Sequence, residues 1–227
     1  MKRRCLIILT LLATLTAMAQ NADFQRQFYV GGKAGVTMSR TQFSPSVPQS
    51  MIMGFAAGAT FRYIEQNHFG LIAELNIEQR GWKEKFDEGY DFAYRQQFTF
   101  IQLPLLTHIY FGNNRIHGFF NAGPELGYMI GHSVTANFDY ENISSVEGFP
   151  RQNRSVAQYV EPIKNKFDYG ISAGVGMEIF ARKHSFTLEG RFYYGLRDVF
   201  SNHKKDPFAG SNGLSMLFTL GYNYRIK

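Results

Sequence analysis

Residues 70–82 read Gly-Leu-Ile-Ala-Glu-Leu-Asn-Ile-Glu-Gln-Arg-Gly-Trp, and this stretch decides the fold. Leu71, Ala73, Leu75 and Ile77 fall on one parity; Glu74, Asn76, Glu78 and Arg80 fall on the other. A period of two sends successive side chains to opposite faces of a strand, so one face is apolar and the other charged. Working outward, similar alternation recurs near 28–39, 53–63, 97–110, 115–131, 166–180, 185–196 and 213–226. The fourth segment aligns Ile101, Leu103, Leu105 and Ile109, and the eighth aligns Leu214, Met216, Phe218, Leu220, Tyr222 and Tyr224. In all eight, the apolar parity contains no Asp, Glu, Lys or Arg.

Alternation alone also suits a water-soluble sandwich, so the connections have to decide. Three are tight, at 65–68, 112–114 and 181–184, and four are long, at about 40–52, 83–96, 132–165 and 197–212. Long and short connections take turns along the chain, as an up-and-down barrel with both termini in the periplasm requires. The predicted fold is therefore all-β: an eight-stranded antiparallel up-and-down transmembrane β-barrel with four long extracellular loops and short periplasmic turns. Aromatic residues gather at segment ends, Trp82, Tyr128, Tyr169 and Tyr194 toward the long loops and Tyr63, Tyr222 and Tyr224 toward the turns. They read as two interfacial girdles. Pro104 and Pro124 fall inside central segments, where a missing N–H removes a ladder bond, so a bulge is expected near each.

The 227 residues suit one domain, and 44% hydrophobic with 16% aromatic content is too much for a disordered chain. The N-terminus carries Lys2, Arg3 and Arg4, an uncharged run from Leu6 to Ala17, and Ala17-Met18-Ala19. This is the pattern of a cleaved export signal, and the run is too short to span a membrane. The expected division is residues 1–19 as signal peptide and 20–227 as an outer-membrane β-barrel domain. Cleavage also removes three of the six net positive charges, and with them most of the case for a nucleic-acid partner. The single cysteine, Cys5, precedes the apolar run, so neither a disulfide framework nor lipidation is expected.

A barrel of eight strands encloses a space that side chains fill. The inward parity offers Lys33, Arg62, Arg80, Arg191 and Arg225 against Glu74, Glu78, Glu125, Asp168, Glu178 and Glu189. Isolated buried charges cost several kcal/mol each, so a paired polar plug is expected. His108 and His117 join the plug; no metal or other cofactor is expected. His132 with Ser133, and Ser201, His203 and Asp206, are the raw materials for catalysis at the outer rim, but no nucleophile-elbow or zinc-protease motif accompanies them. No enzyme is predicted.

The loop from His132 to Asn165 is longer than a strand reversal needs, and loops of that length are usually functional or disordered. Phe138, Tyr140, Phe149 and Tyr159 are interleaved there with Arg151 and Arg154, the composition of an exposed interaction surface. Replacing residues 136–162 by a short turn is expected to leave folding intact, because loop length contributes little to closure entropy.

Several segments resemble the PorT-like outer-membrane β-barrel family. The resemblance runs through Gly31-Gly32-Lys33-Ala34-Gly35-Val36, Ala73-Glu74-Leu75-Asn76 and Ile101-Gln102-Leu103-Pro104-Leu105-Leu106. It continues through Asn121-Ala122-Gly123-Pro124, Asp168-Tyr169-Gly170 and Glu189-Gly190-Arg191-Phe192-Tyr193-Tyr194-Gly195-Leu196. It implies residence in a Gram-negative cell outer membrane. It also implies, as an alternative to a surface platform, an accessory factor for protein secretion; a small porin is the third reading. The partners expected are outer-membrane lipid, the barrel-assembly machinery during biogenesis and a protein at the extracellular loops, with no nucleic acid.

Overall fold

The computed structural model describes residues 25–150, 155–163, 165–200, 202 and 207–227; the export signal expected at 1–19 lies outside them. Eight long strands build the molecule: β1 (Gln27–Ser44), β2 (Ile52–Gln66), β3 (Phe69–Glu84), β4 (Tyr94–Gly112), β5 (Ile116–Ala136), β6 (Phe167–Ala181), β7 (His184–Asp198) and β8 (Gly210–Arg225). Each pairs antiparallel with the next, and β1 pairs with β8, which closes the barrel. The strands run further than the alternation indicated, to 84 in β3 and 136 in β5, so part of the sequence read as loop is barrel wall. At 15 to 21 residues they exceed the roughly 9–11 needed to cross a bilayer.

The apolar parity faces outward. Leu75, Leu188, Val175 and Leu220 are all more than half exposed on the wall. A contiguous apolar belt of this extent suits hydrocarbon and not water. On the inside, glycines make room for bulky side chains on the adjacent strand. A Cβ on Gly176 would meet the Phe119 ring at 2.3 Å, and one on Gly170 would meet the Tyr193 ring at 2.7 Å.

Three local features depart from the sequence reading. First, the register passes through both prolines unshifted: Pro104 pairs with Glu125 and Thr107 with Ala122 at the same offset. The irregularity in this pair lies instead between Thr99 and Phe100, where β5 gains a residue. That bulge reverses the parity of β5 above it, because one extra residue turns every later side chain to the other face. Second, Trp82 is no girdle residue. It is fully buried, and it shares its parity with the inward Glu78 and Arg80. Tyr128, Tyr169, Tyr194, Tyr222 and Tyr224 do lie exposed on the outer wall, while Tyr63 is half-buried against Phe28 at 4.9 Å. Third, β2 leaves β3 above Ala56 and Glu78, although its pairing with β1 continues to Ser39 and Ile52. Inward hydroxyls of β1 take over that seam. Thr37 Oγ1 donates to Gln79 O at 2.6 Å, and Ser39 Oγ accepts from Gly81 N at 2.9 Å. A two-residue strand, Gln49–Ser50, then pairs with the top of β3.

Candidate functional site

The lumen is filled by three layers of charged side chains stacked along the barrel axis. Nearest the short turns, Arg62 on β2 donates twice to Glu178 on β6, at 2.7 and 2.5 Å. Its guanidinium carbon also lies 4.3 Å from the centre of the Tyr29 ring. In the middle layer Arg191 on β7 donates to both oxygens of Glu74 on β3, at 2.7 and 2.8 Å, and also grips Glu189 at 2.9 Å. Lys33 on β1 reaches Glu74 at 2.6 Å and Glu189 at 3.7 Å. Asn121 links this layer to His108, whose Nδ1 lies 2.7 Å from the Asn121 oxygen, by donating to Glu189 at 2.8 Å. In the upper layer Arg80 on β3 meets Glu78 at 2.6 Å, Glu125 at 2.5 Å and Asp168 at 3.4 Å. Its guanidinium stacks 3.7 Å from the Tyr193 ring centre, and Tyr193 donates to Asp168 at 2.8 Å.

Ten of the eleven charged residues read as inward thus meet in these layers. Arg225 does not: it lies at the mouth on the short-turn side, beside Arg26, Lys183 and Lys227. Fork-shaped guanidinium–carboxylate pairs with further hydrogen bonds are the arrangement that makes buried charge tolerable. The plug leaves little space. The gaps beside Lys33 and Glu74, beside Arg80 and Asp168, and beside Arg62 and Glu178 are each about 20 Å³. Each has room for about one water molecule.

Above the plug the mouth is closed by apolar packing. Trp82 contacts Phe43 at 5.1 Å and Tyr94 at 5.2 Å between ring centres, and Tyr94 contacts Tyr159 at 4.6 Å. Phe200 and Phe208 from the last long loop join Phe43. The third long loop contributes Phe149 and Tyr159, both buried, with Phe138 and Tyr140 half-buried beside them. Tyr159, in the helical turn Ala157–Val160, donates its hydroxyl to Glu84. These four aromatics were expected on an exposed surface. They are instead the core of a cap, because rings at the rim of a narrow barrel can leave water by folding over its mouth. Arg151 and Arg154 lie outside the described residues.

Among the described residues the rim does not assemble a catalytic pair. His132, turned by the β5 bulge onto the face of Phe98 but itself exposed, stacks on that ring at 5.5 Å and lies 2.9 Å from the Gln96 amide. Ser133, its neighbour, is exposed on the opposite face. Ser201, His203 and Asp206 lie outside the described residues. Among the described residues, no three His, Cys, Asp or Glu side chains converge as a metal site would need. His117 packs between Tyr110 and Phe180.

A closed barrel with an apolar outer belt and a charged interior defines an outer-membrane β-barrel. The family comparison agrees: residues 18–201 match the family described as outer membrane protein beta-barrel domain, and the chain belongs to it. Among solved structures the chain is similar to outer membrane protein OprG of Pseudomonas aeruginosa, with 12% identity, 88% of this chain and 95% of that chain covered, and a TM-score of 0.50. It also matches Neisserial surface protein A, with 10% identity, 88% and 99% coverage and a TM-score of 0.43. A third match is Ail, the attachment invasion locus protein of Yersinia pestis, with 11% identity, 86% and 98% coverage and a TM-score of 0.39. At 12% identity the likeness to OprG speaks to the fold alone. No curated protein sequence matches.

Proposed function

We propose that the protein is exported by the segment at 1–19 and works in the outer membrane as a non-enzymatic, non-conducting barrel that presents an interaction surface to the outside. The observation that carries this reading is the double closure of the lumen. An ion-paired plug leaves gaps of about 20 Å³, and an aromatic cap covers the mouth. A barrel closed in this way offers its outer face for contact, and the small porin is the weakest reading. The contact surface differs from the one first read: it is the outside of the cap, where Tyr90, Val156 and Val160 are exposed. A photo-crosslinker at Val160 in intact cells should capture one defined protein, whereas one at the buried Tyr159 should not. Crosslinks to lipid alone from Val160 would contradict the platform. The resemblance of β1, β3, β4 and β7 to the PorT-like family supports a second reading, an accessory factor for secretion. Its test is deletion of the gene: loss of secreted cargo with an intact membrane supports it, and unchanged secretion removes it.

A further inference from the structure

The outer wall of β3 and β4 carries an arrangement that the plug and the cap leave unexplained. Lys83 and Arg95 stand directly opposite each other in the β3–β4 pair, and both face outward. Like charges at directly opposed positions destabilise a strand pair. Among the described residues no carboxylate forms an ion pair with either of them; Arg95 Nη2 donates only to neutral oxygens, Met53 O at 3.2 Å and Gln97 Oε1 at 3.1 Å. The row extends on both sides with hydroxyls: Ser50 pairs with Lys83, and Thr135 pairs with Arg95. Both are exposed. Thr135 faces outward because of the bulge in β5, as does Ser133 one row lower.

The rows beneath grade from polar to apolar. Gln97 pairs with Ser133, and below them Ile77, Ile101 and Tyr128 form one row at the top of the lipid-facing belt. From that row to Lys83 is three two-residue steps, roughly 14 Å of height for strands tilted by about 45°. A membrane amphiphile lying against this face meets apolar side chains, then amides and hydroxyls, then two cations flanked by hydroxyls.

We propose that this face binds the phosphorylated glycolipid of the outer leaflet, with its acyl chains on the belt, its sugars on the amide and hydroxyl rows, and a phosphate held between Lys83 and Arg95. The inference rests on the outer-membrane placement of the barrel, and charge complementarity at that height selects the occupant. Phosphate between the two side chains turns a repulsive pair into two charge-assisted contacts.

The test uses the full barrel, refolded in nonionic detergent and titrated with purified lipid A or with the same lipid stripped of its phosphates. Bound lipid is counted by native mass spectrometry. The wild-type protein should hold the phosphorylated form about tenfold more tightly, the factor that loss of one hydrogen bond to a charged group implies. Lys83→Gln should lose most of that difference, and Lys183→Gln, at the opposite end, should keep it. Lys83→Gln leaves the Arg95 hydrogen bond to Met53 O in place, so this variant should fold. Equal retention of the two lipids, an unchanged Lys83→Gln variant, or displacement by millimolar inorganic phosphate would each overturn the proposal. Fractionation of Lys83→Gln cells separates failure of this site from failure of the barrel to reach its membrane.

Discussion

Leu103 and Gln102 are neighbours on β4 that face opposite worlds. Leu103 lies on the lipid wall, and Gln102 is fully buried beside Arg80 and Leu126. Leu103→Arg places a charge in hydrocarbon and should cost about 2–4 kcal/mol in urea unfolding from vesicles. Gln102→Glu should also destabilise, for a different reason: Arg80 already faces the carboxylates of Glu78, Glu125 and Asp168. The two losses separate by pH. Measured against wild type, the Gln102→Glu deficit should shrink as pH falls and the added carboxylate takes a proton, while the Leu103→Arg deficit should not. Equal deficits at every pH would contradict the assigned faces. Parity made the inward charges legible in the sequence. Their partners were not legible, since Arg62 and Glu178 are 116 residues apart and Arg191 and Glu74 are 117 apart, and they meet only across a closed lumen.

The third long loop is the element whose role differs most from its composition. Period-two patterning reports which face of a strand is wet, and it says nothing about rings in a segment without a repeat. Phe138, Tyr140, Phe149 and Tyr159 therefore read as exposed, although the narrow mouth gives them an apolar floor in Trp82 and Tyr94. Trp82 was readable: its parity is that of Glu78 and Arg80, and only its place at a segment end suggested a girdle. Because it is the sole tryptophan, its fluorescence reports the cap alone. Emission should be blue-shifted and little quenched by brominated lipid. Replacing residues 136–162 with a Gly-Ser turn should shift it to the red and expose it to iodide. Each of the two lost buried aromatics contributes roughly 1.5–3 kcal/mol, so the unfolding midpoint should fall although the ion-paired barrel below still inserts. Strong quenching of the wild-type protein by brominated lipid would put Trp82 back at the membrane interface.

For the molecule as a whole, the charge layers, the cap and the outer belt are consequences of one geometry. Eight strands enclose a space narrow enough for side chains to fill, so polar residues placed inward must pair with one another. The number of strands, their antiparallel order and the lipid-facing parity were legible from alternation and connection lengths. The seam where β2 leaves β3 and the bulge in β5 were not, because pairing between strands leaves no mark on a single strand's pattern. Closure of the lumen is the central claim, and current through a planar bilayer tests it most directly. Refolded wild-type protein, inserted as shown by heat-modifiable migration, should leave the membrane silent under an applied potential. Stable, reproducible single-channel steps from that same preparation would contradict it.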